Sequence, residues 1–250
     1  MKIIIFILSL FLTLTLSAQI NTADEFFTNH YDKKLFREHK IKQVLVKRFS
    51  GNTKPSLHIF DFDHNGFVTK QTILDSVGKK VSEYYFTYNE HGDQVQRKNI
   101  AYDLNTTYTV SFHKTYNGKQ LIKETSSELP FITIYIYNSN EQKLQSITFL
   151  GTDTSRSEKR IFDYKYDLRG RLINIVETLT TENNLNSAII GNTEYIYDQL
   201  GNVIAVNRKG EANYKLNYDN FGLLKSMTTE MTDEFENFVM TDEYLYIFRE

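Results

Sequence analysis

Tyr164-Lys165-Tyr166-Asp167-Leu168-Arg169-Gly170-Arg171-Leu172 is the stretch that decides the fold. Its two tyrosines stand at i and i+2, and side chains of an extended chain alternate between faces, so both rings lie on one side of a strand. Asp167 follows the second ring. An Asp or Asn there accepts a backbone N–H two residues on and starts a type I turn. Gly170 can hold the positive φ that closes a hairpin through a bulge. Leu172 then opens a return strand opposite the aromatics, and the stretch predicts a β-hairpin.

The same grammar recurs on both sides. Phe60-Asp61-Phe62-Asp63 leads to Gly66 and Val68, and Phe86-Thr87-Tyr88-Asn89 to Gly92 and Val95. Tyr195-Ile196-Tyr197-Asp198 leads to Gly201 and Val203, and Leu216-Asn217-Tyr218-Asp219 to Gly222 and Leu224. Two copies are less regular: Tyr116-Asn117-Gly118 has a shortened turn before Leu121, and Tyr135-Ile136-Tyr137-Asn138 reaches Leu144 without a glycine. Tyr244-Leu245-Tyr246 reads as an eighth first strand with no return. Gly66, Gly92 and Gly118 are 26 residues apart, and Gly170 follows after 52, with the glycine-less copy in that gap. Later intervals are 31 and 21, so connectors vary while the unit persists.

Tyr166-Asp167 with Gly170-Arg171-Leu172 resembles the YD repeat of RHS-type bacterial proteins and teneurins. The resemblance covers residues 58–248, and the copies at 164–172 and 195–203 match most closely. It implies a continuous ribbon of antiparallel hairpins coiling on itself, which in large family members encloses a shell around a toxin or protein cargo. This chain departs from them in its length and few copies, and it shows no recognisable self-cleaving core domain or C-terminal toxin. The expected fold class is therefore all-β: an antiparallel meander of tandem YD-repeat hairpins forming a curved or rolled sheet, with one short N-terminal helix.

The N-terminus reads as a signal peptide over 1–18. Lys2 precedes the apolar run Ile3 to Leu16, and Ser17-Ala18 gives small residues for cleavage. The run is short for a membrane span, and polar Gln19, Asn21 and Thr22 follow it at once. Residues 19–40 form the next segment. Thr22 to Glu25 has capping-box spacing, and Phe26, Phe27, Tyr31, Leu35 and Phe36 predict an amphipathic helix from 23 to 38 that covers an edge or open end of the sheet. The β-domain occupies 41–250, with Ile41 to Phe49 as its first strand and Val44 and Val46 on one face. Polar connectors at 103–107, 153–157 and 181–186 read as outer turns.

Composition narrows the function. The chain has no cysteine, so disulfides, thiolate catalysis and Cys-based metal sites are excluded. A net charge of −2 gives no basic field to gather nucleic acid. Two prolines in 250 residues suit long laddered strands. An outer-membrane barrel needs an unbroken apolar face toward lipid, whereas 95–100 and 120–125 carry polarity on both faces.

Asp61-Phe62-Asp63-His64-Asn65-Gly66 matches the opening of a calcium loop, but the twelfth position, which needs a bidentate Glu, is Thr72. The YD turn accounts for the same residues. His30, His39, His58, His64, His91 and His113 show no paired ligand spacing. The repeat aromatics read as core, while Tyr102, Tyr108 and Tyr214 stand outside the pattern and are freer to serve a ligand. No catalytic, cofactor-binding or metal-binding residue is assigned, no cofactor is implied, and the ligand-binding residues are left open.

These readings make the chain a non-enzymatic exported structural or binding module, periplasmic, cell-surface or secreted. The expected partner is a glycan or another envelope or secreted protein, without nucleic acid and without a membrane span after signal cleavage. The alternative is a shell fragment or accessory partner of an RHS-type toxin system.

Overall fold

The computed structural model describes residues 32–51, 53–126, 131–150, 158–180, 187–209, 212–232 and 237–250. The signal segment 1–18, helix residues 23–31, His30 and the connectors 153–157 and 181–186 lie outside them.

Among the described residues one helix, α1 (Lys33–Glu38), leads into sixteen strands. The first hairpins are built from β1 (Ile41–Ser50), β2 (Ser56–Phe62), β3 (Val68–Leu74) and β4 (Lys80–Tyr88). Next come β5 (Gln94–Ala101), β6 (Thr106–Asn117), β7 (Gln120–Ser126) and β8 (Phe131–Tyr137). They are followed by β9 (Lys143–Leu150), β10 (Glu158–Tyr166), β11 (Leu172–Thr180) and β12 (Ser187–Tyr197). The last four are β13 (Val203–Arg208), β14 (Ala212–Tyr218), β15 (Leu224–Thr232) and β16 (Asn237–Phe248). Each strand pairs antiparallel with its chain neighbours, and β16 pairs with β1.

The sheet is therefore a closed barrel, not an open curved sheet. The return strand missing after Tyr244-Leu245-Tyr246 is β1, from the other end of the domain: Val44 faces Tyr246 and Val46 faces Tyr244. Closure leaves no sheet edge for a helix to cover.

The repeat forms the turns its residues predict. Oδ1 of Asp167 accepts N–H groups from Arg169 and Arg171, each at 2.9 Å. Asp63, Asn89, Asn138 and Asp219 repeat that pair of bonds in their own turns. Gly170 sits at φ +78°, and in the copy without glycine Glu141 takes the left-handed position at +62°. A register shift accompanies every second aromatic, at Phe62, Tyr88, Tyr116, Tyr137, Tyr166, Tyr197 and Tyr218, which is the bulge of the hairpin. All these turns emerge at one mouth of the barrel, because every YD hairpin joins an even-numbered strand to the next. A related turn, Asp75 to Lys79, lies at the other mouth.

Alternation sends the aromatics inward. Val44, Val46 and Arg48 are buried around exposed Lys47, and Tyr214 and Leu216 around exposed Lys215. The outer wall exposes Lys98, Lys123, Lys165, Glu194, Lys225 and Glu243. Among the described residues the tightest core follows β13 to β16 and β1 to β3, with Val44, Phe60 and Met227 fully buried. Between these charges the outer wall also exposes aliphatic side chains, among them Ile134, Ile136, Ile196 and Leu245, and the inner wall holds buried polar groups such as Arg48, Glu83 and Glu177.

Of the predicted 23–38 helix, the part within the described residues begins at Lys33, after a non-helical Asp32. Asp32 caps α1 by accepting N–H groups from Lys34 at 2.8 Å and Leu35 at 3.1 Å. The helix sits at the turn mouth. Phe36 is buried against Phe62 and Tyr246, and Lys33 Nζ donates to the Gly92 carbonyl at 3.2 Å while lying 4.7 Å above the Phe67 ring.

Candidate functional site

Away from the tight core, the inner wall of β6 to β10 carries a continuous row of polar and aromatic groups. Lys114 on β6 and Glu124 on β7 are cross-strand partners, joined Nζ to Oε2 at 2.6 Å. Tyr135 on β8 donates its hydroxyl to the same carboxylate at 3.4 Å. Lys143 on β9 holds its ammonium 4.6 Å from the Tyr135 ring centroid and 5.4 Å from that of Tyr164 on β10. The Tyr164 hydroxyl meets Ser146 Oγ at 2.9 Å.

Burial sets the protonation of this wall. It lowers the Lys143 pKa, against the opposing pull of Glu124 and Asp93. It raises those of Tyr135 and Tyr164, and pushes Tyr195 up to about 12. The tyrosines are thus neutral, offering ring faces and hydroxyl groups beside the side chains of Lys114 and Lys143. Further along the wall Glu177 joins Arg160 at 3.3 Å and Arg208 at 3.2 Å. On β5, Arg97 Nε and the Asn99 side-chain oxygen are buried without a hydrogen-bond partner among the described residues. Such a surface can stack on a ligand and hydrogen-bond its hydroxyl groups.

A second feature lies at the turn mouth: a cavity of about 370 Å³ between α1 and the β12–β15 hairpins. Leu35, Phe36, Val203, Leu216, Leu223 and Leu224 line it. Its polar groups are engaged elsewhere. The hydroxyls of Tyr218 and Tyr246 donate to the carbonyls of Val203 and Leu224, and Asp32 caps the helix. Its lining mixes leucine, valine and phenylalanine side chains with these engaged polar groups.

The structure scatters the candidates the sequence singles out. Asp63 is held in its turn, Asp61 Oδ1 accepts from Gln43 Nε2 at 2.8 Å, and Thr72 pairs with Ile59 on β2. Among the described residues no three His, Asp or Glu side chains group as metal ligands do. His58 is buried and meets Ser56 Oγ at 3.3 Å, His91 stacks on Tyr116 with ring centroids 4.1 Å apart, and His39 lies against Phe221. His64 and His113 are exposed. Tyr214 belongs to the core. Tyr102 donates to Glu83 at 2.6 Å, and Tyr108, on β6, is half-exposed.

Sequence reasoning misses the row of Lys114, Glu124, Tyr135 and Lys143. Parity is the signal that finds it: Lys114 stands two residues before Tyr116, so a charge occupies a position on the aromatic face.

No family model matches the chain, and no curated protein sequence matches it. Solved structures overlap it at low scores. A porin-like protein from Bacteroides uniformis aligns with TM-score 0.36 and 11 % identity over 84 % of this chain and 97 % of that one. One from Bacteroides vulgatus gives 0.38 and 12 % over 83 % and 98 %. The Tc holotoxin pore of Photorhabdus luminescens gives 0.30 and 13 % over 75 % of this chain, which spans 12 % of that one. The class is therefore stated from the chain's own topology: a closed sixteen-stranded antiparallel meander barrel.

Proposed function

We propose that this chain is a non-enzymatic exported binding module of the YD-repeat type that takes a carbohydrate along the inner wall of its barrel. One observation carries the reading: the row Lys114, Glu124, Tyr135, Lys143 and Tyr164 presents ring faces, hydroxyls and charge on a part of the wall outside the tight core. Sugar rings combine apolar faces with hydroxyl edges, and that row offers a complement to both. Lys98, Lys123, Lys165, Glu194 and Glu243, exposed among aliphatics on the outer wall, favour a water-facing barrel, and the N-terminal signal pattern supports export.

A glycan array probed with the chain lacking residues 1–18 tests the reading, backed by tyrosine fluorescence titration. The expected outcome is binding of defined oligosaccharides that is lost in Tyr135→Ala/Tyr164→Ala at unchanged secondary structure. A wild-type chain that retains no glycan removes the proposal.

A further inference from the structure

We infer that the turn mouth of the barrel is a docking face for the surface of a lipid bilayer. Three YD turns in succession carry a large apolar side chain at their tips: Leu168 is fully exposed, Leu200 is 88 % and Phe221 68 % exposed. Turn chemistry does not require them. The equivalent tips on the other side of the barrel carry His64 and Asn65, Glu90 and His91, and Ser139 and Asn140 in turns held by the same hydrogen bonds. Just behind the apolar tips a broken collar of outward aliphatics is exposed at Ile173, Ile196 and Ile204 on β11 to β13, with Ile136 and Leu144 beside the neighbouring polar turn of β8 and β9. Leu245 and Ile247 continue it on β16. Large apolar side chains gathered at one mouth point to an interaction site, where scattered single residues do not.

The charges around the patch select lipid as its partner. Lys165, Arg169 and Lys225 are exposed beside the tips and collar. Their long side chains can reach phosphate groups while apolar neighbours enter the acyl layer. The turn carboxylates are held by hydrogen bonds within their own turns. Asp167 is bound by two turn N–H groups and by Arg171 Nε at 2.7 Å, and Asp219 by the N–H groups of Phe221 and Leu223. The cavity beneath α1 includes Phe221 in its lining, so it adjoins the same face. Lys123, Glu194, Lys215 and Glu243 on the outer wall limit entry to the tips and collar, and the barrel stands on the bilayer without crossing it.

Flotation of the chain lacking residues 1–18 with phosphatidylcholine–phosphatidylglycerol vesicles tests this docking, independently of any glycan. Wild type is expected to float with the vesicles, and Leu168→Ser/Leu200→Ser/Phe221→Ser to lose at least ten-fold in bound fraction. Exposed tip substitutions leave stability nearly unchanged, which an equal thermal midpoint verifies. Wild type that stays unbound, or a triple variant that floats equally well, overturns the inference. So does a wild-type dimer that ignores vesicles and that the triple variant dissolves, because the face then belongs to a second copy.

Discussion

Tyr197 donates its hydroxyl to the carbonyl of Leu172 at 2.6 Å, and Tyr137, Tyr166, Tyr218 and Tyr246 do the same to the carbonyls of Leu121, Lys143, Val203 and Leu224. Each acceptor lies at the start of the return strand of the preceding hairpin, so the second ring of the repeat ties one unit to the next. Tyr197→Phe keeps the ring and the Arg171 guanidinium 4.6 Å from its centroid but removes the donor. It is expected to cost about 1 kcal/mol in urea unfolding, and a variant as stable as wild type denies the hydroxyl its role. Glu83 gives a residue-scale test of charge. Its Oε1 lies 2.8 Å from both Lys70 and Lys80, and Oε2 accepts the hydroxyls of Tyr102 and Tyr85. Burial alone raises the carboxyl pKa, but these hydrogen bonds outweigh it and hold the group at about 2. A depressed folded-state pKa contributes stability above the ordinary value of 4.5, and that contribution is lost as pH falls from there toward 2. The stability gap between wild type and Glu83→Gln is therefore expected to shrink across that window. A gap independent of pH counts against the cluster.

The hairpin was legible in the sequence because all it requires sits within nine residues: two inward rings, an Asx oxygen for two N–H groups, and one left-handed residue. The helix was less so. Apolar spacing carried the predicted helix across Asp32, whereas its side chain satisfies the N–H groups of Lys34 and Leu35 and begins α1 at Lys33. Where α1 docks depends on a residue remote from it. A Cβ on Gly66 would stand 2.5 Å from the Lys33 carbonyl oxygen, so the helix fits only over a bare backbone. Gly201 makes the comparison fair, since it also holds positive φ but has nothing within 4 Å of its Cβ direction. Both alanine variants strain the turn, and Gly66→Ala also displaces the helix. Gly66→Ala is expected to exceed Gly201→Ala by at least about 1 kcal/mol in chemical denaturation. Equal losses remove the seat assigned to α1.

Closure is a property of the whole molecule, and its partners carry no local signal. The repeat predicts that each strand meets the next, but nothing in its spacing says that β16 returns to β1. The inner-wall row was hidden for a related reason, since its members come together only when successive strands are laid side by side. At the seam Arg48 faces Asp242, 194 residues away, with Nε and Nη2 each 2.9 Å from one carboxylate oxygen. Both side chains are almost fully buried. Removing one partner strands the other charge, so Asp242→Ala is expected to cost about 3–5 kcal/mol, while Arg48→Met/Asp242→Leu recovers most of that loss. A neutral Asp242→Ala places the residue in solvent and opens the seam. Closure itself has a sharper test, because the chain contains no cysteine to interfere. Leu45 and Leu245 are direct partners across the seam on its outer face. Opposed strand residues fall within the Cα separation a disulfide spans, so Leu45→Cys/Leu245→Cys is expected to cross-link intramolecularly under mild oxidation. The bond joins the first strand to the last and closes a loop of nearly the whole domain, giving a large shift in gel mobility that reduction reverses. In an open ribbon the two thiols sit on opposite edges, so a chain that stays uncross-linked while folded excludes the closed barrel.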